Sequence, residues 1–217
     1  MIKHLLGISG LALAGTLVLA APASAHPHVW VTMKAELVYA PDGTVTAVRH
    51  AWSFDDMFSV FATQGIDSKK KDEFTREDLK PLAQTNVESL KDFDYFTAAT
   101  VNGKKAEFDP PLADYYAEYK DAVLTLHFTL PFRTPVKAKD VDIEVFDSSY
   151  FVDFSFADKD PASLVGAAAG CKLNVVKPGE LDPDLAKRLG QLGPDATVDP
   201  SMMLGSQYAN KISVRCP

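Results

Sequence analysis

Basic residues are scarce in this chain. Lys and Arg number 22 against 29 Asp and Glu, for a formal net charge of −7. Binding nucleic acid requires clustered cations to neutralise phosphates, so no nucleic-acid partner is expected. Beyond one apolar stretch near the start, no run is long enough to span a membrane. The chain lacks a Gly-rich phosphate loop, a Gly-x-Ser-x-Gly elbow and a His-Glu-x-x-His helix. These absences remove the common phosphate-binding, serine-hydrolase and zinc-protease readings, and no enzyme activity is expected. Internal repeats and low-complexity tracts are missing too. Cysteine is almost absent, with 2 residues, Cys171 and Cys216, both in the C-terminal third.

What is present begins at the N-terminus. Residues 1–25 have the three parts of a secretory signal. Lys3 and His4 give a positive start, Leu5 to Ala21 is apolar and uncharged, and Ala23-Ser24-Ala25 is a small-residue cleavage site. The expected cut precedes His26 and leaves residues 26–217 as a single periplasmic domain. An uncleaved membrane anchor is the competing reading, and the Ala-Ser-Ala site argues against it. No cysteine follows the run, so lipid anchoring is not expected. In an oxidising compartment the isolated pair Cys171 and Cys216 is most simply a disulfide, and two thiolate metal ligands are the alternative. A bridge closing that loop would stabilise the fold by about 4 kcal/mol on the chain-entropy view.

Hydrophobic periodicity predicts the elements. Val29, Val31, Met33, Ala35 and Leu37 alternate, Pro41-Asp42-Gly43 marks a turn, and Thr44 to Phe54 alternates again, which predicts a β-hairpin. Asp55 to Gly65 has helical spacing. Thr75-Arg76-Glu77-Asp78 resembles a capping box and predicts a second helix to about Lys91. Strands follow on both sides of Asn102-Gly103, then at Tyr115 to Lys120, Val123 to Leu130, Val141 to Phe146, Tyr150 to Phe156, Cys171 to Val176 and Lys211 to Cys216. Short helices are predicted at Leu181 to Leu192 and Met202 to Ala209. The inferred class is α+β: a mostly antiparallel, sandwich-like sheet system with a two-helix, EF-hand-like insertion at about 55–92.

The expected cut would create an unusual terminus. His26 gains a free α-amine beside its own imidazole, and amine plus Nδ1 can chelate one metal ion. His28 can add a second imidazole. Nitrogen donors of this kind suit Ni, Co, Zn or Cu. Pro27 has no amide hydrogen, so the square-planar amide chelate of some X-X-His termini is excluded, and its ring restrains the terminus. Protons compete for the same nitrogens, so affinity should fall on acidification. Completing a closed site calls for further donors, and the candidates are His50, Asp55, Asp56, His127 and Asp147. Against this stands a solvated terminus with no metal. His50 shares a face with Val48 and Trp52 and also reads as a packed histidine. His127 also reads as solvent-facing. Asp55-Asp56 also fits a helix N-terminus.

The segment from Asp67 to Asp78 has the frame of a calcium loop, with Asp67 first, Phe74 at the apolar eighth position and Asp78 twelfth. Lys69 and Lys71 occupy positions that should supply oxygen, and Asp72 replaces the turn glycine. Calcium is therefore not expected, and a lysine-rich solvated turn is the alternative origin. The aromatic run Tyr150-Phe151-Val152-Asp153-Phe154-Ser155-Phe156 reads as sheet core.

These pieces together resemble a known family. His26-Pro27-His28-Val29-Trp30 after a signal, Trp52-Ser53-Phe54-Asp55-Asp56-Met57-Phe58-Ser59, Asp94-Tyr95-Phe96-Thr97, Phe128-Thr129-Leu130-Pro131, Phe146-Asp147-Ser148-Ser149-Tyr150-Phe151 and Gly170-Cys171 are similar to bacterial periplasmic proteins grouped as domain of unknown function 1007. Members carry the label of an ABC-type transport-system periplasmic component and accompany nickel/cobalt-type permeases. The resemblance implies transition-metal handling beside a membrane permease. The expected function is thus a periplasmic metal-binding accessory protein. A non-metal adaptor of a transporter and a histidine-brace copper enzyme are the alternatives.

Overall fold

The computed structural model describes residues 27–70, 73–179, 182–190 and 207–217. Two sheets share one hydrophobic core, and the class is α+β, mostly β. The larger sheet is built around β1 (Val29–Tyr39), whose inward residues alternate as the pattern predicts. β1 turns back through Ala40 to Gly43 into β2 (Thr44–Phe54), and the two run antiparallel, with Met33 opposite Trp52. The Thr44 amide donates to the Asp42 carboxylate at 3.0 Å, which fixes the turn.

Two further strands extend this sheet on the β2 side. These are β5 (Tyr116–Lys120) and β6 (Val123–Lys137), giving the order β5-β6-β2-β1. On its other edge β1 accepts two short strands in parallel, β8 (Val152–Phe156) and β9 (Ala162–Val165). β9 has no strong alternation of its own and was not among the predicted strands. It forms because β1 offers an open edge, where the Ala35 amide donates to the Pro161 carbonyl at 3.0 Å. Gly166 ends it at φ +74°, where a Cβ would lie 2.4 Å from the Tyr39 carbonyl oxygen, so only glycine fits.

The second sheet runs β10-β11-β7-β3-β4, from β3 (Thr97–Val101), β4 (Lys104–Ala106), β7 (Asp140–Val145), β10 (Lys172–Val176) and β11 (Asn210–Arg215). All its pairings are antiparallel. The predicted hairpin at Asn102-Gly103 is present, with both residues at positive φ. Asn102 does more than turn the chain. Its Oδ1 accepts from the Lys139 and Asp140 amides, and its Nδ2 donates to the Lys137 carbonyl, so the hairpin is tied to the β6–β7 corner.

The strand expected to stop at Leu130 continues as β6 to Lys137, past Pro131 and Pro135. The register with β2 jumps between Val45 and Ala47, opposite Val136 and Pro131, so the intervening residues bulge away from β2. The missing N–H of Pro135 therefore falls in the bulge, where no ladder bond to β2 is required. The bulge is covered by Phe108, whose ring lies 4.8 Å from that of Phe132.

Helical segments are shorter than the periodicity implied. α1 is Asp56–Ala62 and α2 is Lys80–Ser89. Thr75 and Asp78 do form a reciprocal box. Asp78 accepts from the Thr75 amide at 2.8 Å, and the Asp78 amide donates to the Thr75 hydroxyl at 3.2 Å. The box closes a turn, and regular helix begins only at Lys80, with Pro81 in its first turn. α2 passes directly into a 3-10 helix, Leu90–Phe96. Of the predicted Leu181 to Leu192 helix, α3 (Pro183–Gly190) is described, and Asp182 caps it through two amides. The Met202 to Ala209 helix lies largely outside the described residues.

Cys171 and Cys216 are joined by a disulfide that ties the start of β10 to the end of β11. Replacing both by serine is expected to cost about 2–4 kcal/mol of unfolding free energy. Urea titration should show a lower midpoint for that variant. Dithiothreitol should reproduce the shift in the parent protein and leave the double variant unaffected.

Candidate functional site

The N-terminal end of β1 is where three sequence signals meet. His28 immediately precedes β1, and its amide donates to the Phe151 carbonyl at 2.9 Å. Its imidazole stacks on the Phe151 ring with centroids 4.7 Å apart. The last described residue before it is Pro27, and His26 lies outside the described residues. The chain is therefore fixed to the larger sheet at His28.

Asp55 sits beside the same end of β1. Its amide donates to the Trp30 carbonyl at 2.9 Å, and its carboxylate accepts from the Trp30 amide at 3.0 Å. The other carboxylate oxygen accepts from the Phe58 amide at 2.8 Å, capping α1. One side chain thus locks the helix start onto the first residues of β1. Asp56 is exposed and turns back to the Met57 amide.

Asp147 is buried in the loop between β7 and β8. One oxygen accepts from the Ser149 amide and hydroxyl, both at 2.8 Å. The other accepts from the amides of Phe151 and Val152 at 3.0 and 2.9 Å. Four donors on one carboxylate compensate its burial and fold the loop around it. Tyr150 is consequently held at φ +58°, a conformation that bulky residues rarely adopt. Both acidic candidates nearest the terminus therefore already bind backbone amides, and each shapes the frame that holds His28.

Between these features and the α2 end lies a cavity of about 710 Å³. Val29 and Val31 of β1 form its floor, with Trp52, Phe54 and Phe154 beside them. Leu90, Phe93 and Phe96 of the 3-10 helix face them from the other wall. Phe93 and Phe96 stack with centroids 5.1 Å apart. Asp94, Tyr95 and Phe96 have φ of 50°, 55° and 49°, a rare run of left-handed non-glycine residues. Phe151 belongs to this cavity and is 46% exposed. The aromatic run that reads as sheet core is therefore divided: Phe154 and Phe156 are buried, whereas Phe151 stands at a rim. Periodicity could not reveal this cavity, because its walls come from five separated segments. A smaller cavity of about 280 Å³ lies by Tyr150, Asp153, Lys177 and Tyr208, where burial raises the pKa of Asp153.

The remaining candidates lie apart. His50 is buried in the core, 1% exposed, stacked on Phe128 at 5.0 Å. The Thr97 hydroxyl donates to the Tyr95 carbonyl at 2.9 Å, so His50 Nε2 is the protonated nitrogen donating to that hydroxyl at 3.3 Å. Its Nδ1 then has no partner. Burial depresses its pKa to about 3. His127 lies on the outer face of β6, 3.0 Å from Glu118 and stacked on Tyr116. The Arg76 guanidinium covers the same Tyr116 ring at 3.7 Å. In the calcium-type loop, residues 71 and 72 lie outside the described residues. Asp67 is exposed, Phe74 meets Tyr119 edge-on at 5.2 Å, and the Asp78 carboxylate is held by Thr75, which lowers its pKa. Among the described residues no three His, Cys, Asp or Glu side chains converge as a metal cluster. No described helix is long and apolar enough to cross a membrane.

The family described as "Protein of unknown function (DUF1007)" matches residues 11–216, and the chain belongs to it. No curated protein matches the chain.

Two measurements test this reading of the buried charges. Unfolded His50 should titrate near about 6.5, well above its folded value, so the unfolded state binds the extra proton. Stability should be flat above that pH and fall as pH drops from about 6.5 toward 3, with a limiting slope of about 1.4 kcal/mol per pH unit from this residue. Urea titrations across that window should show a shallower decline for His50→Gln. Asp147→Ala strands four donors and should lose at least about 2 kcal/mol at neutral pH.

Proposed function

We propose that this member of the family is a periplasmic transition-metal-binding accessory protein of a membrane metal transport system. It binds Ni, Co, Zn or Cu through the processed terminus His26-Pro27-His28. The observation that carries this reading is the anchoring of His28. Its backbone and ring are both held against Phe151, so one imidazole of the chelating motif has a defined position on the sheet. Fixing a ligand before the metal arrives lowers the entropy lost on binding. The amine and Nδ1 of His26 supply the other nitrogens once the signal is removed, and Pro27 limits the swing between the two histidines. Neutral imidazole and amine are soft enough for the later first-row ions and poor partners for calcium. The chain delivers or buffers the ion, and a permease moves it.

A second reading, a non-metal adaptor that docks on a transporter, is favoured by the outer face of α1. Met57 and Phe61 there are each 68% exposed. Large apolar side chains at that exposure suit a protein contact.

Isothermal titration separates the two. Correctly processed protein beginning at His26 should bind one Ni or Cu ion. A form carrying one extra N-terminal residue should bind at least about tenfold more weakly, a difference of about 1.4 kcal/mol. His28→Ala should weaken binding too, and affinity should fall on acidification, because protons compete with the metal for nitrogen donors. Equal affinity in the processed and extended forms rejects the amine chelate. Transport that survives His26→Ala with His28→Ala supports the adaptor.

A further inference from the structure

The large cavity has walls of unusual uniformity. Seven of its lining residues are aromatic, and among the described residues no Lys, Arg or His side chain lines it. Four lining residues carry polar side chains: Asn86, Ser89, Asp147 and Ser149. Each is engaged locally. Asn86 donates to the Leu82 carbonyl at 2.8 Å, and Ser89 donates to the Asn86 carbonyl at 2.7 Å. Ser149 donates to Asp147, whose oxygens take three further donors. Apart from the indole N–H of Trp52, which is buried without a partner among the described residues, the walls therefore offer apolar surface with their donors spent on the protein itself.

The backbone around the cavity is also strained. Three consecutive left-handed residues, Asp94, Tyr95 and Phe96, shape one wall, and Tyr150 at φ +58° lies beside Phe151 on another. Such conformations persist only where surrounding contacts over-determine them, and they cluster at ligand sites. Here they set the positions of Phe93, Phe96 and Phe151, the rings that keep the two walls apart.

We propose that this cavity is a binding site for an uncharged, apolar organic molecule of drug-like size. The volume of about 710 Å³ lies within the range of pockets that enclose such ligands. An anion would meet the Asp147 carboxylate with no cation on the walls to balance it. A cation would be stripped of water against aromatic faces, beside a carboxylate that already has four donors. An uncharged ligand loses no strong hydration, and seven aromatic side chains supply dispersion and ring contacts. The site is separate from the nitrogen chelate of the terminus, and its occupation needs no metal.

The test uses the processed chain and N-phenyl-1-naphthylamine, a neutral fluorophore that brightens in apolar surroundings. A saturable rise in its emission at one molecule per protein is expected. Ser89→Trp projects an indole into the cavity from an exposed helix end and removes no core contact. It should melt near the parent temperature and bind the fluorophore about tenfold more weakly or worse. Asn86→Phe serves the same purpose if Ser89→Trp fails to fold. Anionic 8-anilinonaphthalene-1-sulfonate should bind more weakly than the neutral fluorophore. The proposal is overturned by a non-saturable signal, or by parent-like affinity in a folded blocking variant. Tighter binding of the sulfonate would reject an uncharged ligand.

Discussion

The structure hangs on the position of β1 inside the larger sheet. Its buried residues carry one face of the core, and both of its edges are used, by β2 on one side and by β8 and β9 on the other. A strand paired on both edges has little freedom to shift register, because a one-residue slip would turn Val31, Met33 and Leu37 toward solvent. Its ends are fixed as well. At one end the Asp55 amide donates to the Trp30 carbonyl and the Asp55 carboxylate accepts from the Trp30 amide, and at the other the Tyr39 carbonyl leaves room only for Gly166. His28 inherits that rigidity, since it is the residue immediately before the strand.

Two carboxylates translate this frame into a local environment. Asp55 sets where α1 leaves the sheet, and Asp147 folds the loop that presents Phe151. Neither does so by ion pairing. Each satisfies backbone amides that would otherwise be left without partners at a helix start and a tight loop. The loop then places an aromatic ring where it meets both the His28 imidazole and the cavity. Loss of Asp147 would therefore reach the His28 anchor and the cavity together.

The two sheets are joined across the core by contacts between residues far apart in the chain. The His50 imidazole meets Thr97 of the other sheet, and the Asn210 amide donates to the Phe154 carbonyl at 2.6 Å. His50 is an uncharged polar group in an aromatic setting, with Trp52 and Phe128 as neighbours. Its low pKa follows from that burial and makes acid the condition under which this part of the core is weakest.

Local pattern was enough for much of the fold. Alternation along Val29 to Leu37 and Thr44 to Phe54 identified the first hairpin, because period-two burial is a property of each strand alone. Asn102-Gly103 identified a turn for the same local reason. The cysteine pair was readable by elimination, since no other thiol competes. The proposal that His26-Pro27-His28 chelates a metal likewise rests on covalent chemistry within three residues. Other features were decided only by tertiary contacts. β9 exists because β1 has an edge to fill, and β6 runs past Pro135 because a bulge removes the need for its amide hydrogen. The reach of Asp55 to Trp30, the four donors on Asp147 and the exposure of Phe151 all depend on segments brought together from distant parts of the chain. The cavity depends most on this. Its walls are drawn from β1, β2 with the start of α1, the α2 end, β6, and the β7–β8 loop with β8, and no periodicity within one segment encodes the space left between several.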